Sequence, residues 1–201
     1  MRTLKIHLIR HGTTDANFKG QYIGCKTDIP LSPEGLNELR LLRESIDYPE
    51  VQAVYSSPLL RCRQTAAVLY PDKSVISVNN LREYDFGSFE GKTAAELEGN
   101  PYFKPWAAGK ISAPPGGEEN SEFIKRLCIG LNEIVYDMLE KDLSESAVIM
   151  HGGAIMMLLG ATAVPHHKPV EWTADNGRGY SIRITPSLYH KSGIVEAYDI
   201  I

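Results

Sequence analysis

Cysteine is scarce in this chain: Cys25, Cys62 and Cys128 are all it has in 201 residues. Three is an odd number, and the spacings fit neither a zinc pattern nor a disulfide framework. Reduced thiols in the cytoplasm are the expectation. Long apolar runs are absent. A membrane span needs roughly 18 apolar residues, and the nearest approach, 150–164, is broken by His151 and three glycines. The N-terminus shows no unbroken apolar segment followed by a small-residue cleavage site, so no signal peptide is read there. Positive charge is not in excess. Lys and Arg number 21 against 25 Asp and Glu, a net charge of −4. That argues against nucleic-acid or membrane partners. Apolar residues at 43% and charged residues at 23% are ordinary for a globular chain and exclude disorder, collagen and coiled coil. A chain of this length suits one domain, 1–201. It is large enough to stand without disulfides or a structural metal.

What is present is an alternation of strands and helices. Residues 4–9 are a short, mostly apolar run ending at Arg10-His11-Gly12. Ser32-Pro33 is a cap-plus-proline signal, and Leu36, Leu39, Leu42 and Ile46 follow at helical spacing. Residues 51–55 form a second strand. Ser56-Ser57-Pro58 repeats the helix-start signal for a helix reaching Leu69, and 75–78 is a third strand. Phe123, Leu127, Leu131, Ile134, Val135 and Met138 make one face of a long helix beginning near Asn120. Residues 147–150 are a buried strand ending at His151-Gly152-Gly153, and a helix follows. Tyr180, Ile182 and Ile184 alternate with Ser181, Arg183 and Thr185 as a half-buried strand. A turn over 186–193 leads to a last strand at 194–198. This pattern predicts a three-layer α/β/α sandwich, with a mostly parallel sheet and an antiparallel edge strand. The irregular segment 86–117 reads as a lid inserted over the carboxyl end of the sheet, where open α/β folds place their sites.

Two histidines, His11 and His151, stand at predicted strand ends, each followed by glycine. Arg10 beside His11 needs a partner or a ligand at the end of a core strand. Arg61 lies in the first turn of the helix after the second strand. A guanidinium there, near two strand-end histidines, makes an anion clamp that suits phosphate, and the helix start favours an anion. Glu83 follows in a carboxylate-rich segment. Burial beside a phosphate would hold it protonated as a general acid.

Together these pieces resemble the histidine phosphatase superfamily, with its phosphoglycerate-mutase-like fold. They are Arg10-His11-Gly12-Thr13-Thr14 with Asn17; Asp28-Ile29-Pro30-Leu31-Ser32 with Gly35; the segment 57–66 containing Arg61; Glu83 with Phe86-Gly87 and Glu90-Gly91; and His151-Gly152-Gly153. The resemblance implies that His11 is the nucleophile and forms a phosphohistidine. It implies that Arg10, Arg61 and His151 hold the phosphoryl oxygens with Asn17 assisting, and that Glu83 donates a proton to the leaving oxygen. Ile23 and Gly24 fall where the family brings backbone amides towards substrate. Thr14 and Gly152 are further expected contacts.

No cofactor and no metal are expected. The expected partner is a small phosphorylated metabolite, and a homodimer is left open. Phosphate hydrolysis is favoured over a phosphoglycerate mutase, because no arginine lies between Glu83 and Lys125 to clamp a second anionic group. The short chain and Pro115-Gly116-Gly117-Glu118 resemble the branch holding α-ribazole phosphatase and broad-specificity phosphatases. A non-catalytic phospho-ligand binding module is the third reading. Met156 stands where many relatives have arginine. Cys62, beside Arg61, reads first as a small helix residue, with a lowered thiol pKa and sensitivity to oxidation as the alternative hypothesis. Asp175, Asn176 and Arg178 are candidates for the rim of the site.

Overall fold

A computed structural model describes residues 3–201. The chain opens with β1 (Leu4–Arg10), a short helix α1 (Asp15–Phe18) and α2 (Pro33–Ser45). Next come β2 (Ala53–Ser56), α3 (Leu60–Leu69) and β3 (Val75–Ser77). The short helix α4 (Phe103–Ala107) lies in an irregular stretch before α5 (Asn120–Glu140). The chain then continues through β4 (Glu145–Met150), α6 (Gly152–Thr162), β5 (Ala163–Val164), β6 (Gly179–Ile184), α7 (Pro186–Ser192) and β7 (Val195–Ile200).

The strands form one sheet in the order β3-β2-β4-β1-β6-β7-β5. β1, β2, β3 and β4 pair in parallel. The antiparallel strand is β6, third from the β5 end, running against β1 on one side and β7 on the other. Successive side chains of β1 point to opposite faces, and each face has its own core. Leu4, Ile6 and Leu8 join the apolar faces of α5 and α6. Ile9 packs on the other side with Leu39 of α2 and with Cys62, Ala66 and Leu69 of α3. The sheet is therefore covered by helices on both faces, which is the three-layer sandwich expected from strands alternating with helices.

Local chemistry explains the element ends. Ser32 caps α2 by accepting from the Gly35 N–H, with Pro33 at the first position, a preferred helix start. The second cap-plus-proline signal was read two residues early. α3 begins at Leu60, and no side chain of Leu59 caps it. The carboxylate of Asp28 accepts from the Leu60 N–H at 2.6 Å instead. Ser57 bonds His151. Residues 186–192, expected as a turn, form α7. Pro186 opens it and Gly193, at φ 68°, closes it in the left-handed region, where glycine meets no steric penalty. Ser181, expected on a solvated face, is buried because His7 lies opposite it on β1 and bonds its hydroxyl at 2.8 Å.

The segment 86–117 has a small core of its own. Phe89, Leu97 and Phe103 are buried there, with Tyr22, Phe86 and Trp106 packed against them. Among the described residues, no helix is long and apolar enough to cross a membrane.

Leu127 sits fully buried between α5 and the sheet. Leu127→Ala is expected to lower unfolding free energy by about 2–5 kcal/mol, measured as a shift in the urea midpoint at constant slope.

Candidate active site

The site is built where three neighbouring strands end. The parallel register pairs Arg10 with Met150 and Ser56 with Ile149. His11 follows β1, His151 follows β4 and Ser57 follows β2, so the three are brought side by side. The His11 N–H bonds the Met150 carbonyl at 3.0 Å and the Ser57 N–H bonds the Ile149 carbonyl at 2.9 Å. The two imidazoles meet edge to face with centroids 5.3 Å apart.

His11 is 6% exposed. Its Nδ1 lies 2.7 Å from the Gly12 carbonyl. A carbonyl only accepts, so Nδ1 carries the proton and Nε2 of the neutral ring keeps its lone pair. Burial, then the charges of Arg61 and Arg10, pull the His11 pKa down to about 3; the Gly12 bond opposes them. The ring is neutral across the ordinary pH range. His151 is fully buried, and burial followed by the Arg61 charge holds it well below the usual histidine range. Its Nε2 is 2.8 Å from the Ser57 hydroxyl.

Arg61 is fully buried, although it belongs to the first turn of a helix. Its guanidinium donates to the carbonyls of Gly24 and Thr27, each at 3.1 Å. Arg10 donates to the Ala174 carbonyl at 2.8 Å, and its buried Nε has no protein partner. The loop 174–178 also supports the strand end: Asn176 donates to the His11 carbonyl, and Gly177 N–H to that of Arg10. Thus Asn176, expected on the rim, does not line the cavity and instead holds the His11 backbone.

Glu83 is 7% exposed. Its carboxylate accepts from the N–H of Tyr84 at 2.9 Å and of Gly153 at 3.1 Å. Burial raises its pKa and outweighs those bonds and the nearby arginines. The close approach explains Gly153, since a Cβ there would stand 2.8 Å from the Glu83 Oε1.

Arg10, His11, Thr14, Asn17, Ile23, Arg61, Glu83 and Gly152 all line one cavity of about 140 Å3. Two expected site residues sit otherwise. His151 lies behind His11 and does not line the cavity. Gly24, expected to turn its amide towards substrate, donates that N–H to Glu90 at 2.9 Å and gives its carbonyl to Arg61. Any Cβ at position 24 would collide with the Tyr84 carbonyl. Gln21, Tyr22, Phe86 and Gly153 complete the wall. Gln21 and Tyr22 lack a motif signal; they reach the site because Gln21 pairs with Thr93 across an isolated bridge. Thr14 and Asn17 bond each other in a capping box at the start of α1. Asn17 Oδ1 is engaged there, which leaves its amide nitrogen as the donor group. Among the described residues, no three His, Cys, Asp or Glu side chains converge as metal ligands.

For Cys62 the structure favours the small helix residue over the reactive thiol. The thiol is fully buried, and that burial raises its pKa despite the neighbouring Arg61.

A sequence model of the histidine phosphatase superfamily (branch 1) matches residues 6–192. The chain belongs to this superfamily. The broad-specificity phosphatase YOR283W of Saccharomyces cerevisiae is 30% identical over 172 residues, covering 82% of this chain and 73% of the relative. The mycobacterial glucosyl-3-phosphoglycerate phosphatase superposes with a TM-score of 0.82 at 22% identity, over 98% of this chain and 97% of that one. The α-ribazole phosphatase of Shigella flexneri superposes at 0.78 with 21% identity, over 97% and 95%. At these identities the two solved structures speak for the phosphoglycerate-mutase-like fold alone.

One residue of this superfamily member carries no motif signal yet fixes the site. Arg126 on α5 pairs with Glu118 through two bonds of 2.7 and 2.9 Å. It also donates to the carbonyls of Asn80, Arg82 and Glu83. All five of its N–H groups are used, and they hold the backbone from which Glu83 projects. Both partners of the ion pair are more than four-fifths buried. Arg126→Met would strand a desolvated carboxylate and three carbonyls. It is expected to cost about 3 kcal/mol of stability, with Arg126→Met/Glu118→Gln recovering part of the loss in urea unfolding.

Proposed function

We propose that the protein hydrolyses the phosphomonoester of a small metabolite through a phosphohistidine on His11, without a metal. The observation that carries this reading is a neutral imidazole with its Nδ1 proton committed to Gly12. It shares one small cavity with two arginines and a buried carboxyl group. The name of the yeast relative supports a phosphatase.

The steps follow from the groups present. His11 Nε2 attacks phosphorus as the ester P–O bond breaks. Glu83, whose pKa burial raises, gives its proton to the leaving oxygen and releases an alcohol. The resulting carboxylate takes a proton from water, whose oxygen attacks phosphorus as the P–N bond breaks. Inorganic phosphate leaves, and both residues return to their starting states. Charge in such transfers spreads over three equatorial oxygens, so positioned cations do most of the catalysis. Arg10 and Arg61 supply them without a metal. Arg61 is held in place by two carbonyls, so little reorganisation is needed. The Asn17 side-chain amide and the start of α6 at Gly152 add neutral donors, and Thr14 orients Asn17 by donating to its Oδ1. His151 packs behind His11 and fixes the plane of its ring.

Hydrolysis is favoured over transfer to a second hydroxyl. A mutase must hold a second anionic group, yet no arginine occurs in 84–124, and Arg126 is fully engaged elsewhere. An α-ribazole-phosphate-like ester belongs to the proposed substrate class. The free thiols accord with a cytoplasmic setting.

Turnover of p-nitrophenyl phosphate in EDTA is expected, with no isomerisation of phosphoglycerate stimulated by 2,3-bisphosphoglycerate. His11→Ala is expected to abolish turnover; near-wild-type rates in that variant would refute the covalent route. Glu83→Gln is expected to slow hydrolysis of an alkyl phosphate about 10²–10⁴-fold and that of p-nitrophenyl phosphate far less. Glu83 must be protonated to act, and burial raises its pKa. The alkyl phosphate rate should therefore fall as pH rises through that raised value, and Glu83→Gln should remove this limb.

A further inference from the structure

A second chamber of about 320 Å3 opens beside the phosphoryl cavity. The two share Tyr22, Glu83, Phe86 and Gly153 as a common wall. Beyond that wall the chamber is faced by Trp106 and Phe123 on one side and by Met156 and Met157 of α6 on the other. Among the described residues no Lys, Arg or His lines it, and Glu83 is its one acidic side chain. Asn120, at the start of α5, contributes the one side-chain amide.

We infer that this chamber is the leaving-group subsite, and that it selects phosphomonoesters whose alcohol carries a flat, uncharged, apolar group. The inference rests on the hydrolase reading above. Glu83 is common to both spaces, so an ester oxygen within its reach lies at their junction. Phosphate then occupies the arginine side, and the rest of the alcohol has the apolar side to enter. Anionic alcohols are disfavoured there. A carboxylate or second phosphate would lose its water and meet aromatic faces and thioethers, with no cation among the described residues to offset the loss. Aromatic rings fit for the opposite reason. Trp106 stands in a lattice of edge-to-face rings with Tyr22, Phe86 and Phe89 at 5.5–6.0 Å. Methionines on the facing wall adapt to a planar guest and make favourable sulfur–ring contacts. At roughly 30 Å3 per small group, the chamber takes about ten heavy atoms, which suits one ring or a fused pair.

The test compares 2-phenylethyl phosphate with ethyl phosphate, whose leaving alcohols are of similar acidity, and with 3-phosphoglycerate. kcat/KM for the phenylethyl ester is expected to exceed that for the ethyl ester by about 10–100-fold, with 3-phosphoglycerate below both. Met156→Arg is expected to cut the phenylethyl-to-ethyl ratio at least tenfold and to raise the phosphoglycerate-to-ethyl ratio. Equal efficiency on the two neutral esters would overturn the assignment. Calorimetry with 3-phenylpropylphosphonate and propylphosphonate separates this subsite from the chemistry. Tighter binding of the phenyl compound, with a more negative heat-capacity change, supports the chamber even if no ester is turned over, in which case the hydrolase reading alone fails. Equal binding of the two phosphonates overturns the chamber whatever the turnover.

Discussion

The site depends on one hydrogen bond, from His11 Nδ1 to the Gly12 carbonyl. It assigns the proton to the nitrogen that faces the backbone and leaves Nε2 as the lone-pair nitrogen. Alone in water such a bond would be worth little, and the ring would gain a proton in mild acid. Here the ring is buried between Arg10 and Arg61, so a second proton is costly. The same positive surroundings that exclude a proton from His11 suit an anion in the cavity. The neutral ring and the positive cavity are thus two consequences of one electrostatic arrangement.

The remainder of the fold holds that arrangement still. Gly12 is fixed through its own N–H, which donates to the Thr65 hydroxyl on α3 at 2.9 Å. That hydroxyl in turn donates to the Arg61 carbonyl at 2.7 Å. The loop bearing the tautomer-setting carbonyl and the helix bearing the anion clamp are therefore tied together. Arg126 does the same for Glu83 from the other side of the sheet. Glycine enters where backbone must come closer than a Cβ allows, as at Gly24 against the Tyr84 carbonyl. The buried Nε of Arg10, which lines the cavity, has no protein partner.

Much of this was legible in the sequence, for identifiable reasons. Strand–turn–helix units announce themselves through apolar runs broken by glycine and by Ser-Pro, so β1, β2, β4 and the helices after them were readable. His11 and His151 at strand ends, Arg61 in the first turn of a helix and Glu83 in a loop carry unusual chemistry at telling places. What was hidden depends on contacts between distant segments. Asp28 caps α3 across 32 residues, and no local signal marks it. Arg126 looks like one charged position on an amphipathic helix until its five bonds to 80–83 and Glu118 are seen. Gly24 was placed near the site correctly but given the wrong task, because sequence cannot say which way an amide points. At Cys62 the neighbouring arginine left an activated thiol open as an alternative, which the fold removes because that side of the helix faces inward and burial dominates. Tyr84, Phe86 and Trp106 were visible as aromatics, but only the fold places them on a wall shared with Glu83.

The tautomer and charge state of His11 carry the account. Nitrogen-15 correlation spectra of the imidazoles, recorded on the ligand-free protein from pH 8 to the acid limit of the folded state, read both directly. The account predicts a His11 ring protonated at Nδ1 and bare at Nε2, with no titration above about pH 4, in keeping with a pKa pulled down to about 3. A ring protonated at Nε2, or one that titrates near the ordinary histidine value of about 6.5, would contradict it.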